Sequence, residues 1–210
     1  MGITVLMFFL FYMIDHIVKF VTVKFIGMGQ QITIIPNFLY MEKQFNKGAA
    51  FGLGADSGGS IILVSISAVA SIILMFVASK NDWKRDKVGA ISITMALAGC
   101  VGNLYDRFIT LFGANGVVDM FNMTWFDAMI SFFTGGKQTH VTMNVADIFL
   151  VIGLIIFVIN YLFFYERKRK KAKSLEFANL KKEENTMNMK NVKEINNGAK
   201  ENKDFDEPTE

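Results

Sequence analysis

The chain has 210 residues, of which 52% are hydrophobic, with a formal net charge of +3 and a mean hydropathy of +0.34. This is too apolar for an ordinary soluble domain of this size, and no nucleic-acid partner is expected. The single cysteine, Cys100, excludes an intramolecular disulfide, and the two histidines, His16 and His140, lack the spacing of a zinc motif.

Four stretches are long enough to cross about 30 Å of hydrocarbon at 1.5 Å per residue. They lie near Ile3–Phe25, Ile61–Ser79, Val88–Phe108 and Asp147–Tyr165. The expected fold is an all-α membrane protein: four transmembrane helices with a small extracytoplasmic β-platform and an interfacial segment. The first stretch is longer than a secretory apolar region, lacks a basic flank before it and has no small-residue cleavage site. It reads as a retained helix. The expected domains are a membrane domain, residues 1–166, and a charged cytoplasmic tail, residues 167–210.

Helix one carries Asp15 and Lys19 in the favourable order for an ion pair one turn apart. Intramembrane charges commonly pair with one another, so these two are expected to form a structural polar pair. The loop that follows, Gln31 to Met41, is rich in β-branched and aromatic residues and is turned by Pro36-Asn37. It is the predicted platform. Next comes Asn46-Lys47-Gly48-Ala49-Ala50-Phe51-Gly52, which reads equally as an ordinary glycine-rich loop or as a segment whose small residues let a partner backbone approach and pair with Asn46.

Helix three has a small-residue face, Ala96-Leu97-Ala98-Gly99-Cys100-Val101-Gly102, suited to close packing, and Cys100 is structural in this setting. The helix ends in Gly102-Asn103-Leu104-Tyr105-Asp106-Arg107. Arg107 either reaches the headgroups or binds a substrate carbonyl or phosphate with its planar fork. Asn103 adds a neutral donor and acceptor, and Asp106 orients this end of the helix. The aromatics of Met120–Met143 (Phe121, Trp125, Phe126, Phe132, Phe133) suit a segment lying at headgroup level, either as a lid or simply resting on the membrane. Asn144 followed by Asp147 has the spacing of a capping box, which places Asp147 at the positive end of helix four.

Lysine and arginine set the orientation. The Lys80–Lys87 loop and the stretch 167–173 together hold ten, against three in residues 27–60 and 109–146. Both termini are therefore expected in the cytoplasm and both long loops outside. The tail has too few large apolar residues to offset chain entropy, so disorder is expected. Its first basic cluster would rest on anionic headgroups.

This topology brings Asp119 and Asp147 to one face of the membrane. Two carboxylates sharing a proton are the minimal equipment for turning a water molecule against an amide. Asp119 is the expected proton holder and Asp147 the anion. Other classes remain open on residues alone. A proton-coupled transporter would place its acids nearer the midplane within repeated helices, and no repeat is evident. A serine–lysine peptidase would need Ser65 or Ser67 beside Lys19. A non-catalytic membrane assembly protein is the further alternative.

The order of the clusters narrows this. Asp15-x-x-x-Lys19, Asn46-x-Gly48-Ala49-Ala50-Phe51-Gly52, Gly99-x-x-Gly102-Asn103-x-x-Asp106-Arg107, Val117-Val118-Asp119 and Asn144-Val145-Ala146-Asp147 resemble the signature blocks of lipoprotein signal peptidase (signal peptidase II). The resemblance spans residues 15–147. It implies an aspartic endopeptidase of the bacterial inner membrane, with its active site on the outer side. Such an enzyme cuts signal peptides from prolipoproteins just before a diacylglyceryl-modified cysteine and uses no cofactor or metal. On this resemblance Asp119 and Asp147 match the catalytic pair. Asn46, Gly48, Asn103, Asp106, Arg107 and Asn144 match supporting, largely substrate-binding positions, and Asp15 and Lys19 match the polar pair of helix one. Expected partners are diacylglyceryl-modified prolipoproteins, membrane lipids and globomycin-like inhibitors. The chain departs from the family pattern at His16, Cys100 and Met143, and in the length of Met120–Met143.

Overall fold

A computed structural model describes residues 2–48, 57–81, 83–133, 135 and 140–163, with residues 166, 174, 175, 179 and 181 of the tail. Met1–Asn160 form one compact unit, which holds everything discussed below, and Tyr161–Glu210 form a second. The expected tail disorder and the stretch Ala49–Gly52 lie outside the described residues, apart from those few in the tail.

Among the described residues four helices are long and apolar enough to span a bilayer: α1 (Gly2–Phe25), α2 (Ser57–Lys80), α3 (Lys87–Thr110) and α5 (Val145–Phe163). Between them lie strands β1 (Gln31–Ile35), β2 (Leu39–Asn46), β3 (Val117–Met123) and β4 (Thr142–Met143), and a short helix, α4 (Thr124–Phe133). The four spans agree with the sequence expectation to within a turn.

The membrane helices are built inside out relative to a soluble protein. In α1 the buried residues are Asp15, Lys19 and Thr22, a polar stripe at helical spacing, while Leu6, Phe9 and Phe20 are exposed. Lipid surrounds such helices, so apolar residues gain nothing by turning inward, and polar ones must.

The central helix is α3. It has 61% of its apolar window buried, against 6–11% for the other three spans. Its buried face is mostly small: Ala90, Ser92, Ala96, Ala98, Gly99, Cys100 and Gly102. That face lets α5 come very close. A Cβ on Gly99 would sit 2.2 Å from the Ala146 carbonyl oxygen. Small residues replace the hydrophobic effect as the means of helix association in lipid, by allowing backbone contact. At the other end Asp86 caps α3, accepting from the Gly89 N–H at 2.9 Å, and Asn160 of α5 donates to the same carboxylate at 2.6 Å.

The strands form one antiparallel sheet in the order β1-β2-β3-β4. The β1–β2 hairpin is the platform expected from Gln31–Met41, turned at Asn37, which has positive φ. Strand β3 differs from the sequence expectation, which gives Val117–Asp119 to an outer loop and the residues from Met120 to an interfacial segment. It is instead a mostly buried strand against β2, with Gln44 opposite Asp119 and Asn46 opposite Val117. Gly116, at φ 120°, lets the chain turn into this strand beside Asn46, whose carbonyl oxygen would lie 2.7 Å from an added Cβ. The interfacial element is shorter than expected: α4 has no buried residue and exposes Trp125, Met129, Phe132 and Phe133.

Candidate active site

Asp119 enters on β3 and Asp147 on the first turn of α5. Both are held by one residue, Asn144, just ahead of α5. Its side-chain amide donates to Asp119 Oδ1 at 2.7 Å, and its backbone N–H donates to Asp147 Oδ2 at 3.0 Å. The Asp147 N–H returns a bond to Asn144 Oδ1 at 2.9 Å, so the reciprocal capping box is present. Its acidic member is shared with the site.

Two more amides complete the cradle. Asn46 of β2 donates to Asp119 Oδ2 at 2.9 Å from the diagonal position of the ladder. Its own Oδ1 accepts from the Gly48 N–H at 3.0 Å. Asn103 of α3 donates to Asp147 Oδ1 at 2.7 Å and accepts from Asn144 Nδ2 at 3.1 Å. Three asparagines therefore fix four carboxylate oxygens with neutral donors, which orient without supplying a counter-charge.

The counter-charge sits one layer deeper. Lys19 donates to Asp15 at 2.7 Å and to Asp106 at 2.6 Å, with Asn103 Oδ1 at 3.4 Å. The partners of this buried triad come from α1 and α3, and Asp15 also accepts from the Ala146 N–H at 2.8 Å. Asp15 and Lys19 thus form the pair read from their spacing, and Asp106 joins it. Asp106 is joined to Lys19 across the α1–α3 contact and is not among the residues lining the cavity described below. Lys19 is held in this triad, and the described hydrogen bonds join it to neither Ser65 nor Ser67.

Asp119 is only 2% exposed. Burial pushes its carboxyl up to about 7 and the charge of Asp147 adds to this, while the amide donors of Asn46 and Asn144 pull it back. The carboxyl therefore holds or releases a proton near neutrality.

Asp119 and Asp147 open onto a cavity of about 690 Å³, also lined by Asn46, Gly48, Arg107 and Phe126. Arg107 reaches Ser67 Oγ at 3.5 Å, and its Nε finds no hydrogen-bond partner among the described residues. A half-buried arginine whose buried Nε is an unused donor beside a cavity is equipped to take a carbonyl or phosphate oxygen. Of the six positions expected to support substrate binding, Gly48 and Arg107 line the cavity with groups suited to contact. Asn46 lines it too, yet spends its amide on Asp119. Asn103 and Asn144 mainly hold the carboxylates.

Residue reasoning missed the outer wall. His140 bridges Glu42 of β2 and Asp127 of α4, the latter at 3.7 Å, and it lines the cavity. Asp127 also accepts from the buried Asn122 at 2.8 Å and from the Val141 N–H at 2.7 Å. A lone histidine carries no sequence signal for partners 98 and 13 positions away.

The family model described as signal peptidase (SPase) II matches residues 7–163. The lipoprotein signal peptidase of Fusobacterium nucleatum is 31% identical over 80% of this chain and 90% of its own length. That of Borreliella afzelii is 30% identical over 73% and 85%, and that of Clostridium tetani 30% over 70% and 83%. A bacterial membrane enzyme solved by the in meso method aligns with a TM-score of 0.61 at 26% identity, covering 80% of this chain and 92% of the other.

Proposed function

The chain belongs to the signal peptidase II family, a multi-pass bacterial membrane peptidase that removes signal peptides from lipoproteins, and we propose that it does so as an aspartic endopeptidase with Asp119 and Asp147 as its catalytic pair. The observation that carries this reading is Asn144, which bonds both carboxylates while both line one cavity.

In the proposed reaction Asp147 takes a proton from a water held between the pair, and the water attacks the scissile carbonyl. Asp119, protonated near neutrality, gives its proton to the carbonyl oxygen; as the tetrahedral intermediate collapses it takes a proton back from that hydroxyl, and Asp147 passes the proton it took from water to the leaving amine. The cut falls immediately before a diacylglyceryl-modified cysteine. Arg107 and the Gly48 backbone hold the peptide, and fixing that geometry supplies much of the rate. The acyl chains of the cysteine stay in the bilayer beside the site. Globomycin-like inhibitors would compete for the same cavity.

The sidedness of lysine and arginine supports both termini in the cytoplasm and the site at the outer surface. The site lies at the C-terminal ends of α1 and α3 and the start of α5, opposite the Lys80–Lys87 turn, as that orientation requires.

The test is cleavage of a diacylglyceryl-modified prolipoprotein by purified enzyme in detergent. Asp147→Asn should cut the rate by about 10²–10⁴, the range of a general acid–base group. Turnover at the wild-type rate by folded Asp147→Asn would overturn the mechanism.

A further inference from the structure

At the end of the bundle away from the aspartates a second cavity, of about 400 Å³, lies between α1 and α2. Helix α3 packs against both and supplies the floor with Thr94 and Leu97. The walls are Thr4, Val5, Phe8 and Phe9 of α1 and Met75, Ala78 and Ser79 of α2, and Asn81 and Trp83 stand at the rim. The catalytic chemistry makes no use of this groove.

We propose that it binds one anionic phospholipid of the leaflet opposite the active site, with acyl chain in the groove and phosphate at the turn that joins α2 to α3.

Three observations support this occupant. The first is setting. The groove opens between two helices long and apolar enough to span a bilayer, and Phe9 and Met75 of its walls are exposed, so its open side faces hydrocarbon. The second is polarity. The groove is mostly aromatic and aliphatic along α1 and α2, and polar groups gather where Ser79, Asn81 and Trp83 meet the end of the span. Tryptophan at such a boundary sits at headgroup level.

The third is charge. The turn from Lys80 to Lys87 carries Lys80, Lys84, Arg85 and Lys87 against Asp82 and Asp86. The side chains of all four cations are exposed. Lys80 lies over the Phe76 ring at 5.3 Å, at the end of α2 that leads into the rim residues Asn81 and Trp83. A basic rim on an apolar slot selects a phosphodiester with an acyl tail over a zwitterionic lipid of the same chains.

The experiment is native mass spectrometry of the full chain in detergent, titrated with phosphatidylglycerol or with phosphatidylcholine of matched chains. Each basic side chain near an anionic headgroup contributes about fivefold in affinity. Wild type should therefore prefer phosphatidylglycerol at least tenfold, and the Lys84→Gln, Arg85→Gln double variant should bring the two lipids within about threefold. Ala78→Trp, which fills the slot, should weaken both. Prolipoprotein cleavage in detergent stays unchanged in both variants, which also reports that they fold. If Ala78→Trp does not fold, a Trp125→Phe background leaves Trp83 as the reporter, quenched by acyl-brominated phosphatidylglycerol more than by the choline lipid. Equal binding of the two lipids by wild type would overturn the proposal. So would a preference that survives the double variant, or one that survives Ala78→Trp with Trp83 unquenched.

Discussion

Lys19 of α1 donates to Asp106 of α3 at 2.6 Å inside the bundle, where the lysine side chain is 5% exposed and the aspartate 11%. The same ammonium holds Asp15, which in turn receives the Ala146 N–H ahead of Asp147. One cation therefore ties α1, α3 and the start of α5 together. Lys19→Met would leave two buried carboxylates without a counter-charge. Removing one partner of a buried pair costs about 3–5 kcal/mol. The expected outcome is a large fall in the melting temperature of the detergent-solubilised protein, with loss of cleavage. A variant as stable as wild type would mean that the triad is dispensable.

Asp119 should separate activity from stability. Unfolded, its carboxyl ionises near 3.8, and in the folded protein near 7. Between those values the folded state binds the extra proton, so this group's contribution to stability is full below 3.8 and is lost as pH rises through 7. The shift corresponds to at most about 4 kcal/mol at alkaline pH. Asp119→Asn removes that penalty. It should abolish cleavage, raise the melting temperature at pH 8 and change it little at pH 4. Equal shifts at both values would mean that the substitution acts through packing alone.

The four membrane spans were legible because lipid imposes a length and a polarity that composition reports directly. The Asp15–Lys19 pair was legible because one helical turn fixes its geometry. Asp106 joining that pair was not, since its partner lies 87 positions away and only helix packing brings them together. The same holds for Asn103 and Asn46. The resemblance marked both as supporting positions, but which carboxylate each bonds is set by α3 against α5 and by the β2–β3 register. Strand β3 escaped because it is buried and carries Asp and Asn, both poor strand formers. The β2 ladder and the Asn46 and Asn144 amides override that propensity here.

Gly99 sets the distance between α3 and α5. An added Cβ would meet the Ala146 carbonyl at 2.2 Å and the Leu150 nitrogen at 2.9 Å, both backbone atoms that cannot swing aside. Gly99→Val must push α5 outward, carrying Asp147 and Asn144 away from Asn103. Overpacking of this kind costs about 1–3 kcal/mol. Cleavage should fall by at least tenfold while helical content, read by circular dichroism, stays near wild type. Full activity would mean that α5 has slack the close contact does not suggest.

Asn46 offers the sharpest test of which aspartate carries the proton. Its amide donates to Asp119 at 2.9 Å and lowers the carboxyl's affinity for a proton. Asn46→Ala withdraws that donor, so Asp119 should hold its proton to higher pH than the wild-type value of about 7. If Asp119 is the acid of the pair, activity requires it protonated and falls as pH rises through its pKa. The alkaline limb of the kcat/KM profile should then move to higher pH in Asn46→Ala, even as the maximum drops through poorer positioning. If Asp119 were instead the base, the acid limb would be the one to move upward. A profile lowered uniformly, with neither limb displaced, would mean that Asn46 holds the carboxylate in place without tuning its proton.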